Sequence, residues 1–230
     1  MSEWWTYRPS DFLMFAPRTW WRLVELHNEA LWPAQPLLML AGLAWLVVVA
    51  RALQRGDAAA AALRGGAAAL AAAWAFVGWA FLLQRYAPIN WPAAGFAALF
   101  ALQSAALLAL TAGPWLRLTG SAARCRAGLF VIGWALLGHP LLAPAFGRPW
   151  SQAEVFGLAP YPTVIATLGL LLCARVQGRA AAGLAGAVWA ICLAWLVVSA
   201  ATLATLGSAQ AGVLILLAAF AAWSVVRSRG

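Results

Sequence analysis

The sequence predicts an all-α integral membrane bundle of about seven transmembrane helices with an N-terminal external amphipathic helix. Hydrophobic residues make up 65% of the chain and charged residues 9%, and the mean hydropathy is +0.83. The apolar residues fall in blocks of roughly 20, the length that crosses the hydrocarbon core as a helix. These blocks do not alternate polar and apolar residues as barrel strands do, so helices are the spanning structure that satisfies their backbone.

The first part of the chain, residues 1–32, is predicted to be an extracytoplasmic amphipathic segment, followed by a transmembrane helical domain over 33–230. Pro17 suits the first position of a helix. Charged side chains recur after it at helical spacing, on a stripe formed by Arg18, Arg22, Glu25 and Glu29. Another face carries the apolar side chains Trp20, Val24 and Leu31. A helix with this pattern suits the membrane interface.

Seven apolar blocks follow, at approximately 33–53, 67–84, 92–112, 127–145, 155–174, 181–202 and 209–226. The fourth block is the weakest, because Pro140 and Pro144 interrupt it. If this block is a re-entrant or broken helix, six full crossings remain.

The basic residues predict the orientation of these blocks. All fifteen are arginine, and they form no contiguous basic run, so we expect no nucleic-acid partner. Ten follow blocks one, three, five and seven, and five lie on the other side. The positive-inside rule then places the C-terminus in the cytoplasm and the N-terminus outside. Heavy use of Ala, Gly and Arg without Lys is typical of a GC-rich bacterial genome, which indicates a bacterial inner membrane.

The sharpest local feature is His139, which lies between Gly138 and Pro140 in the outer half of the fourth block. Proline removes a backbone hydrogen bond and bends the helix. An ionisable residue at such a break is a functional candidate, able to reach freed carbonyls, a proton path or a metal. The alternative is a neutral histidine that hydrogen-bonds a neighbouring helix.

Other polar side chains support a cavity on the predicted outer side. We predict that it is lined by His139, Asn90, Gln103 and Tyr161, with His27 near its mouth. For Gln103 the alternative is a bond to another helix. Pro160 and Pro162 hold the backbone around Tyr161 away from regular helix, which is consistent either with a cavity wall or with a plain helix start.

The sequence also contains candidate metal ligands. Glu25 and Glu29 share a helix face, but His27 is rotated by about 200° from Glu25, so one helix cannot direct all three at one ion. The set His27, His139 and Glu154 has metal-ligand chemistry without a spacing rule to support it. No catalytic residue is predicted, because the zinc-protease, serine-hydrolase, phosphate-loop and haem-attachment motifs are missing from the sequence, and the sequence does not identify a cofactor.

Three segments together resemble an uncharacterised family of bacterial multi-pass inner-membrane proteins, a domain of unknown function. They carry the motifs N-x-x-x-W-P-x-Q, I-N-x-x-A and A-P-x-P-T, at residues 28–35, 89–93 and 159–163. Their order and spacing look like that family over nearly the whole chain. The resemblance implies a multi-helix membrane fold and brings no established activity.

Three functions remain open at this point. The first is an inner-membrane protein that binds or transports a small solute through an outward-facing cavity. The second is an accessory or assembly subunit of a membrane complex, with the N-terminal helix and the deep tryptophans as surfaces for a membrane-protein partner. The third is a membrane enzyme with an external metal centre. The lipid bilayer is the partner that all three share.

Overall fold

The computed structural model describes residues 15–55, 59–119 and 121–227. The long helices are α2 (Ala34–Arg55), α3 (Ala59–Phe76, continued to Tyr86 as a π-helix), α4 (Ala93–Thr111), α8 (Arg179–Thr205) and α9 (Gln210–Arg227). The shorter ones are α1 (Pro17–Ala30), α5 (Ala122–Gly133, continued to Gly138 as a π-helix), α6 (Leu142–Ala145) and α7 (Pro160–Cys173). Single strands follow α4 and α7, namely β1 (Leu116–Leu118) and β2 (Ala174–Val176).

Five helices of the described chain are long and apolar enough to cross a membrane: α2, α3, α4, α8 and α9. They coincide with five of the seven predicted blocks. The structure differs at blocks four and five. Block four is divided at Pro140, and block five forms the fourteen-residue α7. Such a helix is about 21 Å long, short of the roughly 30 Å of a hydrocarbon core.

The helix α7 is the centre of the bundle. All fourteen of its residues are buried, and it packs against α3, α5, α8 and α9. Pro160 and Pro162 lie in its first turn, where proline needs no intrahelical partner for its missing N–H. The helix-start interpretation of this segment is therefore confirmed.

Two glycines allow α5 and α7 to cross in close backbone contact. A Cβ atom built on Gly169 would lie 2.8 Å from the carbonyl oxygen of Gly128, and one built on Gly128 would lie 2.6 Å from that of Gly169. Both distances are shorter than a carbon–oxygen contact permits. Small residues at helix crossings serve this purpose in membrane proteins.

A small antiparallel sheet joins β1 to β2, with Leu116 opposite Val176 and Leu118 opposite Ala174. This sheet connects the segment after α4 to the segment after α7. The apolar blocks of the sequence did not predict it. We call this end of the bundle the sheet end. The opposite end, which holds α1, the 146–159 loop and the starts of α7 and α9, is the α1 end.

The helix α1 begins at Pro17, as predicted. Its charged stripe lies at the surface, where Arg22 pairs with Glu25 at 3.0 Å and with Glu29 at 3.8 Å. Its other face packs on the bundle through Trp20, which is 2% exposed and contacts Phe81. The first fourteen residues of the predicted N-terminal segment lie outside the described residues.

Candidate functional site

A buried carboxylate lies at the α1 end. The 146–159 loop turns into the bundle between α6 and α7 and places Glu154 where its side chain is only 1% exposed. A carboxylate in such surroundings requires hydrogen-bond or charge partners. Gln210, in the first turn of α9, donates from Nε2 to Glu154 Oε2 at 2.6 Å.

Gln210 also connects this carboxylate to a cation. Arg148 donates from Nη2 to Gln210 Oε1 at 2.7 Å and from Nη1 to the carbonyl of Gln152 at 3.1 Å. The Arg148 guanidinium lies over the ring of Trp21, 3.6 Å from its centroid. Since a guanidinium only donates and a carboxylate only accepts, the orientation of the Gln210 amide between them is determined. We call Arg148, Gln210, Glu154 and the adjacent His139 the Glu154 network.

His139 enters the network at the break that its proline neighbour makes. The His139 amide bonds to Trp134 O at 2.7 Å, five residues back, which is π-helical geometry. Its Nε2 lies 3.4 Å from Gln210 Nε2 and 3.6 Å from Glu154 Oε2. The Gln210 NH₂ group has two protons, so it can donate to Glu154 and to an unprotonated His139 Nε2 together.

Two atoms of the network have no hydrogen-bond partner although they are buried: His139 Nδ1 and Glu154 Oε1. In the tautomer that accepts from Gln210, the Nδ1 of His139 carries a proton. The network therefore presents one buried donor and one buried acceptor. Unsatisfied buried groups are uncommon and are often found at functional positions.

His27 lies at the same end in a separate contact. Its Nε2 is 3.1 Å from the carbonyl oxygen of Leu158, and because a carbonyl only accepts, this nitrogen carries the proton. The ring meets Phe81 edge-on, 5.2 Å between centroids. Burial, with a smaller contribution from the charge of Arg85, lowers the pKa of His27 to about 4. His27 is therefore neutral at neutral pH.

This low pKa predicts a loss of stability in mild acid. Between pH 6.5 and pH 4 the unfolded chain binds a proton at His27 that the folded protein does not, so the stabilisation is complete above pH 6.5 and disappears as the pH falls toward 4. We expect a loss of about 3 kcal/mol over this window. Thermal unfolding of the detergent-solubilised protein by tryptophan fluorescence, at a series of pH values, measures it.

The control for this prediction is His27→Gln, which retains an N–H donor for Leu158 O and cannot titrate. Its melting temperature should fall less than that of the wild-type protein between pH 6.5 and pH 4. Equal falls in both proteins would show that His27 does not cause the acid sensitivity.

Asn28 connects α1 to the 146–159 loop by hydrogen bonds. Its Nδ2 donates to the carbonyls of Ser151 and Ala153, both at 2.8 Å, and Gln35 Nε2 donates to the carbonyl of Asn28 at 2.7 Å. The conformation of the loop that carries Glu154 thus depends on the first of the three motif segments.

The structure brings some of the predicted site residues together and separates others. Tyr161 is buried beside His139, 6.2 Å between ring centroids. Asn90 is half-buried in the connection between α3 and α4, where its backbone N–H bonds Tyr86 O at 3.0 Å. Gln103 joins α4 to α8 by donating to Val188 O at 3.2 Å, which matches its helix-to-helix alternative.

Only two of the three candidate metal ligands, His27, His139 and Glu154, lie close together. His139 and Glu154 are adjacent, whereas the Nε2 of His27 is directed at the Leu158 carbonyl. Within residues 15–55, 59–119 and 121–227, no three His, Cys, Asp or Glu side chains gather as ligands of one ion. The predicted group of His27, His139 and Glu154 therefore does not form in the described structure.

A cavity of about 640 Å³ opens beside the Glu154 network. Three of its wall residues, Pro140, Ala153 and Val155, are the chain neighbours of His139 and Glu154. The rest of the lining combines polar and aromatic side chains with apolar ones: Asn28, Glu29, Trp32, Gln35, Pro36, Met39, Trp150 and Ser151. A concave, mostly apolar space with a few polar groups is the usual form of a small-molecule site.

The profile of one protein family matches residues 18–228, which is nearly the whole chain. The chain belongs to DUF6064, a family of unknown function. The match confirms the prediction that the chain belongs to an uncharacterised domain family. No match was found among curated proteins or among solved structures.

Two residues of the Glu154 network in this DUF6064 chain, Arg148 and Gln210, are not among the site residues predicted from the sequence. In the sequence, Arg148 is one of the arginines that predict the orientation, and Gln210 has no place in the predicted site. Each residue has one local feature that could have identified it. Gln210 is an amide in the first turn of an apolar block, and Arg148 is a basic residue on the side of the bundle with fewer arginines. Gln210 lies 62 residues from Arg148 and 56 residues from Glu154 along the chain, so no local pattern connects Gln210 to these two residues.

Proposed function

We propose that this protein lies in a bacterial inner membrane and binds or moves a small solute through the 640 Å³ cavity at the α1 end. The arginine distribution supports an orientation with this end outside and the C-terminus in the cytoplasm. The observation that carries the proposal is the Glu154 network. Burying a carboxylate and a histidine in an apolar bundle, with a half-buried guanidinium connected to them, is costly, and such residues mark solute or proton pathways in membrane proteins.

The contacts of the network support a link to the cavity. The unpartnered His139 Nδ1 and Glu154 Oε1 belong to residues whose chain neighbours form the cavity wall. We propose that the 146–159 loop moves to present these atoms to the solute, and that Asn28, which bonds this loop, couples the movement to α1.

The lining favours a class of solute. It contains the carboxylate of Glu29, the amides of Asn28 and Gln35, and no basic side chain. Two exposed tryptophans, Trp32 and Trp150, flank the cavity. An uncharged or cationic solute with an apolar part fits these walls better than an anion does.

Native mass spectrometry of the gently solubilised protein, expressed at its natural level, tests this proposal. We expect a bound small molecule on the wild-type protein and its loss in Met39→Trp, because Met39 lines the cavity and the indole fills it. The matched control is Leu40→Trp, on the same helix but 63% exposed on its outer face. The control should retain the molecule.

A wild-type protein that carries no small molecule, or equal occupancy in Met39→Trp and wild type, would contradict the proposal.

The same spectra address an accessory-subunit role, which is favoured by one observation. Only 11% of the apolar window in the α2 segment Ala34–Ala52 is buried within the chain, so one face of this helix is open to lipid or another subunit. A stoichiometric partner chain on the wild-type protein would support that second role.

A further inference from the structure

A second cavity lies at the sheet end, between the start of α5 and the end of α9. It has a volume of about 510 Å³, and its lining includes three arginines, Arg124, Arg126 and Arg227. Its lining shares no residue with the Glu154 network, which lies at the opposite end of the bundle. We call it the arginine cleft.

No carboxylate that the structure describes lies beside Arg126 or Arg227 of the arginine cleft. The described acidic residues, Glu25, Glu29 and Glu154, all lie at the α1 end. Arg126 and Arg227 are exposed at the cleft. An anion entering this cleft would therefore meet guanidinium groups, which bind the oxygens of phosphate in a planar, forked geometry.

The third arginine is held in place by the bundle itself. Arg124 Nη2 donates to the carbonyl of Leu171 at 3.0 Å and to that of Ala174 at 3.4 Å, at the end of α7. The start of α5 is capped by Ser121, whose hydroxyl accepts from the backbone N–H of Arg124 at 3.3 Å. The positive end of the α5 dipole adds to the positive potential at this position.

Both helices of the cleft show the same order of polar and apolar side chains. On α5, Arg126 is one turn nearer the sheet end than Phe130; on α9, Arg227 is one turn nearer than Trp223. Phe130 and Trp223 are 56% and 52% exposed, and both lie against Phe220, at 5.6 Å and 6.2 Å between ring centroids. The cleft thus changes from cationic at its rim to aromatic one helical turn deeper.

We propose that the arginine cleft binds an anionic phospholipid, with the phosphate on Arg126 and Arg227 and the first part of the acyl chains on Phe130 and Trp223. A phosphate group and the chains attached to it have the same polar-to-apolar order, and aromatic side chains of this kind mark the level of the lipid headgroups. Free inorganic phosphate shares the anionic chemistry but has no group to occupy the aromatic level. This inference is independent of the proposed solute site.

Lipid binding to the full chain in detergent, followed by native mass spectrometry, tests the inference. The probes are phosphatidylglycerol and phosphatidylcholine at equal concentrations. We expect phosphatidylglycerol to bind more tightly, and the variant Arg126→Gln/Arg227→Gln to bind it about 30-fold more weakly, since each of the two direct guanidinium contacts to the phosphate is expected to contribute about a factor of five.

The matched control is Arg175→Gln/Arg179→Gln, which removes two exposed arginines from the same end outside the cleft. It should bind phosphatidylglycerol as the wild-type protein does. Equal weakening in both double variants, or equal binding of the two lipids, would overturn the inference because either result means unspecific attraction. Displacement of phosphatidylglycerol by millimolar inorganic phosphate would also overturn it, in favour of a free-phosphate site.

Discussion

Gly169→Ala is expected to destabilise the bundle by about 3 kcal/mol or more, because the new methyl group has no space at the crossing of α5 and α7. The added Cβ would lie 2.8 Å from Gly128 O and 2.9 Å from the backbone nitrogen of Ile132. Both are backbone atoms inside packed helices, so the helices must separate. Thermal unfolding in detergent should show a melting temperature lower by about 10 °C.

The controls for this prediction are Gly65→Ala and Gly183→Ala. Both glycines lie in long helices, and a Cβ built on either meets no atom within 4 Å. Alanine has the higher helix propensity, so these variants should be unchanged or slightly more stable, by up to about 1 kcal/mol. A Gly169→Ala protein as stable as these controls would mean that the two backbones do not approach as closely as the structure has them.

Gln210→Leu is expected to cost about 3 to 5 kcal/mol, because it removes the amide that connects Arg148 to Glu154 and leaves the carboxylate buried without that donor. Gln210 Nε2 makes the shortest of the Glu154 contacts, at 2.6 Å, and its Oε1 accepts from Arg148 at 2.7 Å. Leucine has nearly the same volume and adds no clash. The melting temperature and the yield of monodisperse protein measure the effect.

Gln103→Leu is the matched control for Gln210→Leu. Both amides are fully buried, but Gln103 donates to uncharged groups, the Val188 carbonyl and the Cys192 sulfur. Losing a neutral hydrogen bond typically costs about 1 kcal/mol, and removing a partner from a buried charge costs more. Equal losses in the two variants would show that charge is not what makes Gln210 important.

The candidate site was only partly predictable, and the difference between His139 and Gln210 explains why. His139 carries a local signal, since the following proline removes a hydrogen bond and frees the backbone in any helix. The role of Gln210 depends on Arg148 and Glu154, which the 146–159 loop brings to it from another part of the chain. The spacing of His27 from Glu25 predicted that its side chain points away from the charged stripe of α1, whereas its partner Leu158, 131 residues away, was not predictable.

Blocks four and five illustrate the same limit for the fold. Their composition is as apolar as that of a spanning helix, but the spacing of apolar residues does not say whether a helix faces lipid or other helices. The structure encloses α7 completely and stops it at β2, so its apolar residues serve the bundle core. Gly128 and Gly169 make this enclosure possible, and only their position opposite each other gives them that role.

The amino-acid sequence by itself predicted the all-α class, the start of α1 at Pro17 and seven apolar blocks, of which five are long apolar helices in the structure. These features depend on composition, block length and the chemistry of single residues, all of which are properties of neighbouring positions. Tertiary structure alone decided the central position of α7, the β1–β2 pairing, the Glu154 network and the arginine cleft. Each of these requires side chains or backbones that are distant in the chain to meet within a few ångströms. In a bundle where nearly every helix is apolar on all sides, the hydrophobic pattern does not select which faces meet.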